Sequence, residues 1–462
     1  MAQNIDVTQV VDRQTVGRFL FGVLFLCTLV TLADGYNISV VSFAAPGIIK
    51  AWHTDRAAFG LVISSSLVAG LIGPFLFGNL GDRIGRRYAM IVATALFGLF
   101  GLLSGLCTSV TALVVVRFIA GIGMSGALAV TVASVNEFAP RRLRATFVTI
   151  VFSGTTIGSG LPGLVAAPLL AQYGWPSLFF VGGLVPLALT AVIYRFLPES
   201  PKFLCLQPRR TIELGAVLRR LDPALQVAPE AQFSLGGEVR SAHSSHAQLF
   251  SGKLAVLTPL LWVGSFLAMI VFHSFNGWLP ILLPDAGMTT AQAAHTTVLF
   301  QFVGTAGGWV IMRPVDRLGM LPCTLLYILS IPVILALSSP GLSVSELMLL
   351  CSAAGFCVLG LHFAQVACVS NIYPTSIRAL GVGWFMLFAR AGGAVGPAIV
   401  GWLVGRHVPL RELFHLAVLP LAVGTVASVA VAVIYRANYH NRAVAPAAIA
   451  PGAGALQARN DI

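Results

Sequence analysis

The sequence predicts an all-α membrane protein in which twelve transmembrane helices form two six-helix halves. Only 10% of its 462 residues are charged and 57% are hydrophobic, and the mean hydropathy is +0.88, which a soluble domain rarely reaches. Short sequences also recur in order about half a chain apart. Asp82-Arg83 returns as Asp316-Arg317, and Ala-Val-Ile-Tyr-Arg occurs at both 191–195 and 432–436. This recurrence predicts two halves of similar construction.

About twelve apolar stretches are long enough to cross the hydrocarbon layer, which takes ~20 helical residues. Each must be a helix, because a backbone in lipid has to satisfy its polar groups within the segment. The alternation of a membrane β-strand is absent. The predicted spans cover residues 18–47, 57–80, 88–107, 112–135, 146–170, 176–197, 255–283, 292–315, 321–339, 346–371, 379–404 and 412–435.

The spans divide the chain into five parts. We predict a cytoplasmic N-terminal segment at 1–17, a first bundle at 18–197, a central cytoplasmic loop at 198–253, a second bundle at 254–436 and a cytoplasmic tail at 437–462. The Ala-, Pro- and Gly-rich tail is expected to be disordered.

The central loop is expected to contain one helix followed by a linker. Apolar residues set among four arginines predict an amphipathic helix over 209–221 that lies along the cytoplasmic face. Its apolar residues are Ile212, Leu214, Val217, Leu218 and Leu221. The stretch 222–248, rich in Pro, Ser, Gly and Ala, is typical of a linker.

The net charge of +12 follows a topological pattern. With both termini cytoplasmic, all but six of the 28 lysines and arginines fall on the cytoplasmic side. The exceptions are Lys50, Arg56, Arg406 and Arg411 on the opposite side and Arg117 and Arg390 within spans. Membrane proteins show this excess on the cytoplasmic side. We therefore expect a bacterial inner-membrane protein with no nucleic-acid partner. The polar N-terminal segment predicts no cleavable signal, and seven scattered cysteines predict neither a disulfide nor a metal site.

The most specific local motif lies between the second and third spans and reads Gly-Asn-Leu-Gly-Asp-Arg-Ile-Gly-Arg-Arg at 78–87. Asp82 suits charge-assisted bonds to arginines or a position near a helix N-terminus. Gly78 would let another helix pass close by, and Gly85 permits a tight turn. The alternative is a basic loop that serves topology alone.

This motif, its degenerate copy and the twelve spans resemble the major facilitator superfamily over roughly residues 15–440. The resemblance implies two six-helix bundles, a cavity between them and access to that cavity from alternate sides. It also implies that the first loop motif latches against the eleventh span in one conformation. The gating residues carried over are Gly78, Asp82, Arg83, Gly85, Arg86, Arg87, Asp316 and Arg317.

A narrower resemblance points to the aromatic acid:proton symporters. Its motifs are Asp34-Gly35-Tyr36-Asn37 in the first span, the segment from Arg117 in the fourth, Leu197-Pro198-Glu199-Ser200 after the sixth, and Arg390 with nearby glycines and Pro397 in the eleventh. The first-span motif of that family usually ends in a second acid, where this chain has Asn37. We therefore expect one proton per substrate.

Three charged residues within spans suggest the chemistry of the cavity. Asp34 is the only acid deep in a span, where an ionised group costs ~2.5–3.5 kcal/mol on insertion scales and needs a partner or a function. Arg117 could pair with Asp34 and separate from it on protonation, or form a purely structural salt bridge. Arg390 suits a bidentate carboxylate. The alternative for Arg390 is bonding to backbone carbonyls or to Asp34.

Polar and aromatic side chains in neighbouring spans are candidates for an aromatic-acid pocket. A ring would stack on Trp or Tyr, and amides would bond a ring hydroxyl. Each of these residues also fits ordinary helix packing. The candidates that would join Arg390 are Tyr36, Asn37, His273, Asn276, Trp278, Gln301, His362 and Gln365.

Together these features predict a monomeric symporter that imports benzoate, hydroxybenzoates or similar aromatic carboxylates with protons and uses no other cofactor. The alternatives are another organic anion, a sugar or a drug as substrate, and efflux as the direction. An enzyme is not expected, because the chain has no His-Glu-x-x-His, no Gly-x-Ser-x-Gly and no clustered membrane carboxylates.

Overall fold

The computed structural model describes residues 4–226, 231–236, 246–374 and 377–444. Within these ranges eleven helices are long and apolar enough to cross a membrane, and a twelfth apolar helix, Leu321–Leu337, is shorter. Its length of ~26 Å, at ~1.5 Å per residue, still approaches the ~30 Å of hydrocarbon. The predicted twelve-helix membrane architecture is confirmed.

The first half begins after a short helix, α1 (Val7–Arg13), and its second span is broken into two helices. The break falls just before Pro74, which suits the first turn of a helix but not its interior. The helices of this half are α2 (Arg18–Trp52), α3 (Ala58–Ala69), α4 (Gly73–Ile84), α5 (Arg86–Ser104), α6 (Val110–Phe138), α7 (Arg144–Tyr173) and α8 (Pro176–Phe196).

A small cap covers the end of the first half that carries the N-terminus. Strand β1 (Asn4–Asp6) pairs in parallel with β2 (Gln232–Ser234), and helices α9 (Pro201–Cys205) and α10 (Thr211–Leu221) pack beside this pair. The sequence did not predict the strands, because pairs so far apart leave no local pattern. Thr8 Oγ1 donates to the carbonyl of Leu235, 227 residues away.

The predicted amphipathic helix is present as α10, with its apolar face buried against the first half. Leu214, Val217, Leu218 and Leu221 belong to the core of that half, whereas Ile212 is 87% exposed and does not. Residues 227–230 and 237–245 of the predicted linker, and 445–462 of the tail, lie outside the described residues.

The second half repeats the arrangement without a broken span. Its helices are α11 (Leu254–Leu282), α12 (Thr290–Leu318), α13 (Leu321–Leu337), α14 (Val344–Ile372), α15 (Arg378–Gly405) and α16 (Leu410–Val444). Capping boxes begin two of them. Thr289 and Gln292 cap α12, and Ser343 and Glu346 cap α14, as their Ser/Thr-x-x-Glu/Gln spacing favours. The start of α2 and the last residues of α16 lie at the same end of the bundle, here called the termini end, and the opposite end is called the far end.

Three apolar cores show how the halves are joined. One belongs to each half, and the third is shared. The shared core combines Val40 and Phe43 of α2 with Trp278 and Ile281 of α11, all in the far-end parts of their helices. An ion pair between Arg56 and Asp285, 2.7 Å long, links the two halves on the same side. The halves are therefore closed against each other at the far end.

We expect Gly401→Val to open the far end. The added Cβ would lie 2.8 Å from the Cα of Gly60 and 2.9 Å from the Ala57 carbonyl oxygen, so α3 and α15 would have to separate. A Ser39→Cys reporter, fully buried between the halves, should then react several-fold faster with a maleimide, measured at position 39 by peptide mass spectrometry because the chain has seven other cysteines.

The matched control is Gly383→Val on the same helix, where a Cβ would meet no atom within 4 Å. It should leave the labelling rate of the reporter unchanged. Equal rates in the two valine variants would contradict the inferred closure.

Candidate central site and gating loop

The three charged residues inside the spans lie close enough to act on one another electrostatically. Within the described residues no ion pair of 4 Å or less joins Asp34 to Arg117, so the pairing that the sequence left open is not formed in this conformation. Arg117 is fully buried and donates Nη2–H to the Asn37 carbonyl. Its Nε and Nη1 have no partner in the described part of the chain. Arg117 thus contributes an uncompensated positive charge beside Asp34.

Asp34 interacts more strongly with Arg390 than with Arg117. It is 1% exposed, and its Oδ2 has no hydrogen-bond partner among the described residues. The largest Coulomb attraction on it comes from Arg390 and a smaller one from Arg117, while the Thr155 hydroxyl lies beside the carboxylate. Asp34 therefore stands between two cations without being neutralised by direct contact with either.

Arg390 is held by a backbone carbonyl that a proline leaves free. Pro74 has no N–H and cannot bond the carbonyl of Gly70, four residues earlier. Arg390 Nη1 donates to that carbonyl at 3.2 Å. The guanidinium lies beside Gly70, where an added Cβ would be in ordinary contact with Nη1 at 3.4 Å. The backbone bond that the sequence left as an alternative is therefore present, and it crosses between the halves.

Most of the bonding capacity of Arg390 is still unused. A guanidinium carries five N–H donors, and within the described residues the bond to Gly70 is the only one that Arg390 makes. Arg390 is partly exposed, whereas Arg117 is fully buried. Of the two intramembrane arginines, Arg390 is therefore the more accessible.

Two histidines border the same interior space. The charge of Arg390 acts on both His273 of α11 and His362 of α14, and both residues are partly buried. His273 packs on Gly393, where an added Cβ would lie 2.9 Å from Nε2. His362 Nδ1 is buried with no hydrogen-bond partner in the described structure. The structure brings these two candidates together with Arg390.

Three other candidates form the far-end contact instead of lining the open interior. Asn276 Nδ2 donates to Ser39 Oγ across the halves at 3.2 Å, and Gln301 Nε2 donates to Asn276 Oδ1. Trp278 Nε1 donates to the Pro397 carbonyl at 3.1 Å. All four side chains are buried, so an entering molecule would have to break this contact to reach them.

The remaining pocket candidates form hydrogen bonds within their own halves. Tyr36 donates its hydroxyl to the Leu178 carbonyl at 3.1 Å, and Asn37 Nδ2 donates to the Gly182 carbonyl at 2.6 Å. Both bonds attach α2 to α8. Gln365 Nε2 donates to the Tyr327 hydroxyl at 3.0 Å, inside the second half. These three side chains serve helix packing in this conformation.

The motif at residues 78–87, here called the gating loop, forms a chain of ionic contacts at the termini end. Asp82 pairs with Arg86 at 2.7 Å, and Arg86 pairs with Glu137 of α6 at 3.1 Å. Within the described residues no ion pair joins Asp82 to α15, the helix against which the family's latch acts. Arg83 is exposed, and a Cβ on Gly78 would meet no atom within 4 Å. The expected helix crossing at Gly78 is thus not found in this conformation.

The second copy of the motif lies at the end of α12. Arg317 is exposed there. The side chain of Asp316 lies outside the described residues.

Glu199 is a structural partner of the gating loop that the sequence analysis did not identify. It is fully buried, and its Oε1 accepts the backbone N–H of Arg87 at 3.1 Å and that of Ser200 at 2.9 Å. It thereby satisfies an N–H in the first turn of α5. Gly85 has a φ of 102°, and a side chain there would collide with the Glu199 carboxylate. The Leu-Pro-Glu-Ser motif was visible in the sequence, but its contact with the loop was not.

Comparison with known proteins assigns the chain to a family. A family model described as Major Facilitator Superfamily matches residues 24–366. The chain is 33% identical to a gallate transporter of Pseudomonas putida over 97% of this chain and 98% of that protein. It is also 33% identical to the 4-hydroxybenzoate transporter PcaK of Pseudomonas aeruginosa, over 92% and 95%.

A solved structure gives the same fold. A bacterial homolog of the human lysosomal transporter Spinster, inward-facing and unoccupied, superposes with a TM-score of 0.66 at 15% identity, covering 91% of this chain and 97% of that one.

We expect Glu199→Ala to destabilise the protein by ~1–3 kcal/mol, because it leaves buried N–H groups without an acceptor. Glu199→Gln keeps an acceptor and should lose less. Burial raises the pKa of Glu199 above its usual value, so the folded protein holds this proton more tightly than the unfolded chain does. The melting temperature of the wild type should therefore fall relative to that of Glu199→Gln as pH rises through the raised pKa.

Melting curves in detergent between mildly acidic and alkaline pH provide the measurement. A difference between wild type and Glu199→Gln that does not change with pH would contradict the raised pKa. An alanine variant as stable as the wild type would contradict the role of Glu199 as a backbone acceptor.

Proposed function

Because the chain belongs to the major facilitator superfamily, we propose that it imports small aromatic carboxylates together with protons. The hydroxylated benzoates are the substrate class that its relatives favour, since these are transporters of gallate and of 4-hydroxybenzoate. Transport would proceed by exposing one central site to the two sides of the membrane in turn.

Arg390 is the residue on which this proposal rests. It lies inside a membrane span, is reachable from the interior, and uses one of its N–H groups on a backbone carbonyl. A carboxylate would take two of the remaining N–H groups side by side, the geometry that arginine matches best. A sugar would offer no charge to balance this cation, so an organic anion is the better substrate.

The ring of the substrate would lie toward His273 and His362. Both rings border the space next to Arg390, and an imidazole nitrogen can either donate to or accept from a phenolic hydroxyl. Binding sites for small ligands combine apolar walls with a few such polar groups. Hydroxylated rings therefore fit this position better than unsubstituted rings do.

Asp34 would couple the proton to the substrate. Its carboxylate attracts Arg390 and so competes with a substrate carboxylate for the same guanidinium. Protonation removes this competition and lets Arg390 bind the substrate. Release of the proton on the other side would restore the attraction and expel the substrate. Arg117 would favour release of the proton, because its positive charge stabilises the ionised carboxylate.

The conformation supports an interior that opens at the termini end. The halves share a core and an ion pair at the far end, and the gating loop is engaged with α6 and α8 of its own half. The excess of Lys and Arg in the loops of the termini end argues for a cytoplasmic location of that end. The site would then face the cytoplasm of a bacterial cell, and Asp82 would latch to α15 when the halves reverse.

A single proton per substrate follows from the charges in the site. Carrying a monoanion into a cell against the membrane potential costs ~2.3 kcal/mol per 100 mV. One proton cancels that charge, so the pH gradient drives uptake and the voltage does not. Asn37 stands where a second acid would be needed for a second proton, and its amide is already bonded to Gly182.

We expect Asp34→Asn to abolish the stimulation of uptake by an acidic exterior, because the residue can no longer exchange a proton. Counterflow of labelled 4-hydroxybenzoate against unlabelled substrate, which requires no net proton movement, should persist in this variant. Arg390→Ala should lose both activities, and Arg390→Lys should recover only part of them, since lysine cannot bind a carboxylate with two parallel bonds. Proteoliposomes with an imposed pH gradient provide the measurement.

Arg195→Ala is the control, because Arg195 is an exposed arginine at the end of α8. Stimulation by acid that survives in Asp34→Asn would remove Asp34 from proton coupling. Absence of any aromatic-acid transport by the folded wild type would overturn the substrate class.

We further expect uptake of a monocarboxylate to be electroneutral. In proteoliposomes with a fixed pH gradient, a potassium diffusion potential of either sign set with valinomycin should leave the initial rate unchanged. A rate that rises steeply with an inside-negative potential would require more than one proton per substrate. The uptake rate of Asp34→Asn is measured in parallel. The difference between its rate and that of the wild type is the part of the uptake that depends on Asp34.

A further inference from the structure

A deep apolar groove opens sideways from the second half at its far end. It encloses about 450 Å³ between α11, α15 and α16. Its walls are almost entirely hydrocarbon and include Phe275, Leu403, Leu410, Phe414 and Ala417. The rim residues Leu416 and Leu419 are exposed on the outside of the bundle. The groove therefore opens toward the lipid and not toward the central site.

A hydrocarbon chain is the occupant that suits these walls. A water molecule needs two to four polar partners to be held in a cavity, and this lining offers few. Ser274 supplies one hydroxyl, while the N–H of Trp278 is already bonded to the Pro397 carbonyl. An acyl chain would restore the dispersion contacts that empty walls lack.

Two arginines lie at the junction of α15 and α16, close in sequence to residues that line the groove. Arg406 follows the lining residue Leu403 by three positions, and Arg411 directly follows the lining residue Leu410. The Arg406 guanidinium lies 4.2 Å from the ring centroid of Trp402, which holds it at the end of α15. Both arginines are exposed, and in the described part of the chain neither forms an ion pair.

Their position is unusual for this end of the protein. The far end carries few cations, and one of them, Arg56, is neutralised by Asp285. Arg406 and Arg411, without an ion pair among the described residues, lie on either side of the turn that joins two walls of the groove, α15 and α16. A ligand that combines a long apolar chain with a negatively charged head would satisfy both features.

We propose that this groove binds an anionic phospholipid. One acyl chain fills the space between α11, α15 and α16, and the phosphate is bound by Arg406 and Arg411. Arginine binds phosphate through parallel N–H groups, and cations near a membrane surface attract anionic lipids. The site is separate from the central site and does not depend on the proposed transport activity.

Native mass spectrometry of the full-length protein in detergent tests the proposal. Phosphatidylglycerol and phosphatidylcholine with identical acyl chains are titrated, and the occupancy of the first bound lipid is measured. The wild type should bind one phosphatidylglycerol several-fold more tightly than phosphatidylcholine. The double variant Arg406→Gln/Arg411→Gln should bind both lipids equally. Ala417→Trp, which fills the groove, should weaken the binding of both.

Lys50→Gln is the matched control, because it removes an exposed far-end cation from the first half, away from the groove. It should not change the preference. Each variant must first show a cooperative melting transition, and Ala417→Phe replaces the tryptophan variant if that one fails to fold. Equal wild-type affinities for the two lipids, or a filled groove that binds phosphatidylglycerol as tightly as the wild type, would overturn the proposal.

Discussion

A positive charge inside a membrane must find polar partners there, and the bond from Arg390 to the Gly70 carbonyl meets this need. The bond exists because Pro74 supplies no N–H to that carbonyl, so the second span breaks and one acceptor is left over. The same bond joins the two halves and fixes the depth of Arg390 along the bundle axis. A local backbone defect in one half thus positions the charged residue of the other.

The arrangement separates two kinds of polar group. Those at the centre, Asp34, Arg390, His273 and His362, are held by few hydrogen bonds and retain capacity for a ligand or a proton. Those toward the far end, among them Asn276 and Gln301, bond one another and exclude access. Because unsatisfied groups are costly in a low-dielectric interior, the bonded set stabilises this conformation. The unbonded set is where binding a substrate gains most.

Rigid halves are what make such a site usable. Each half has its own apolar core, and the core they share is confined to the far end. The β1–β2 pair and α10 tie the N-terminal segment and part of the central loop to the first half. The gating loop is anchored within that half as well, through Glu137 and Glu199. Contacts between the halves can therefore change while each half keeps its packing.

The sequence alone determined the features that depend on composition and on local spacing. Apolar stretches of span length are helical in a membrane whatever their neighbours, so the twelve spans, the two halves and the helix at α10 could be predicted. The loop motif could also be recognised in the sequence, because its glycines and charged residues are contiguous. Asp34, Arg117 and Arg390 stood out because charges are rare in lipid.

Only the tertiary structure decided which of these residues meet. The partner of Asp34, the helix that Tyr36 and Asn37 face, and the contact between Glu199 and Gly85 depend on helix rotation and crossing. A uniformly apolar span carries no periodic signal that fixes its rotation, since lipid and protein interior are equally apolar. Helix rotation is set instead by close packing between glycines and by a few buried hydrogen bonds. These packing contacts and hydrogen bonds join residues that are far apart in the chain, so no local sequence pattern reveals them.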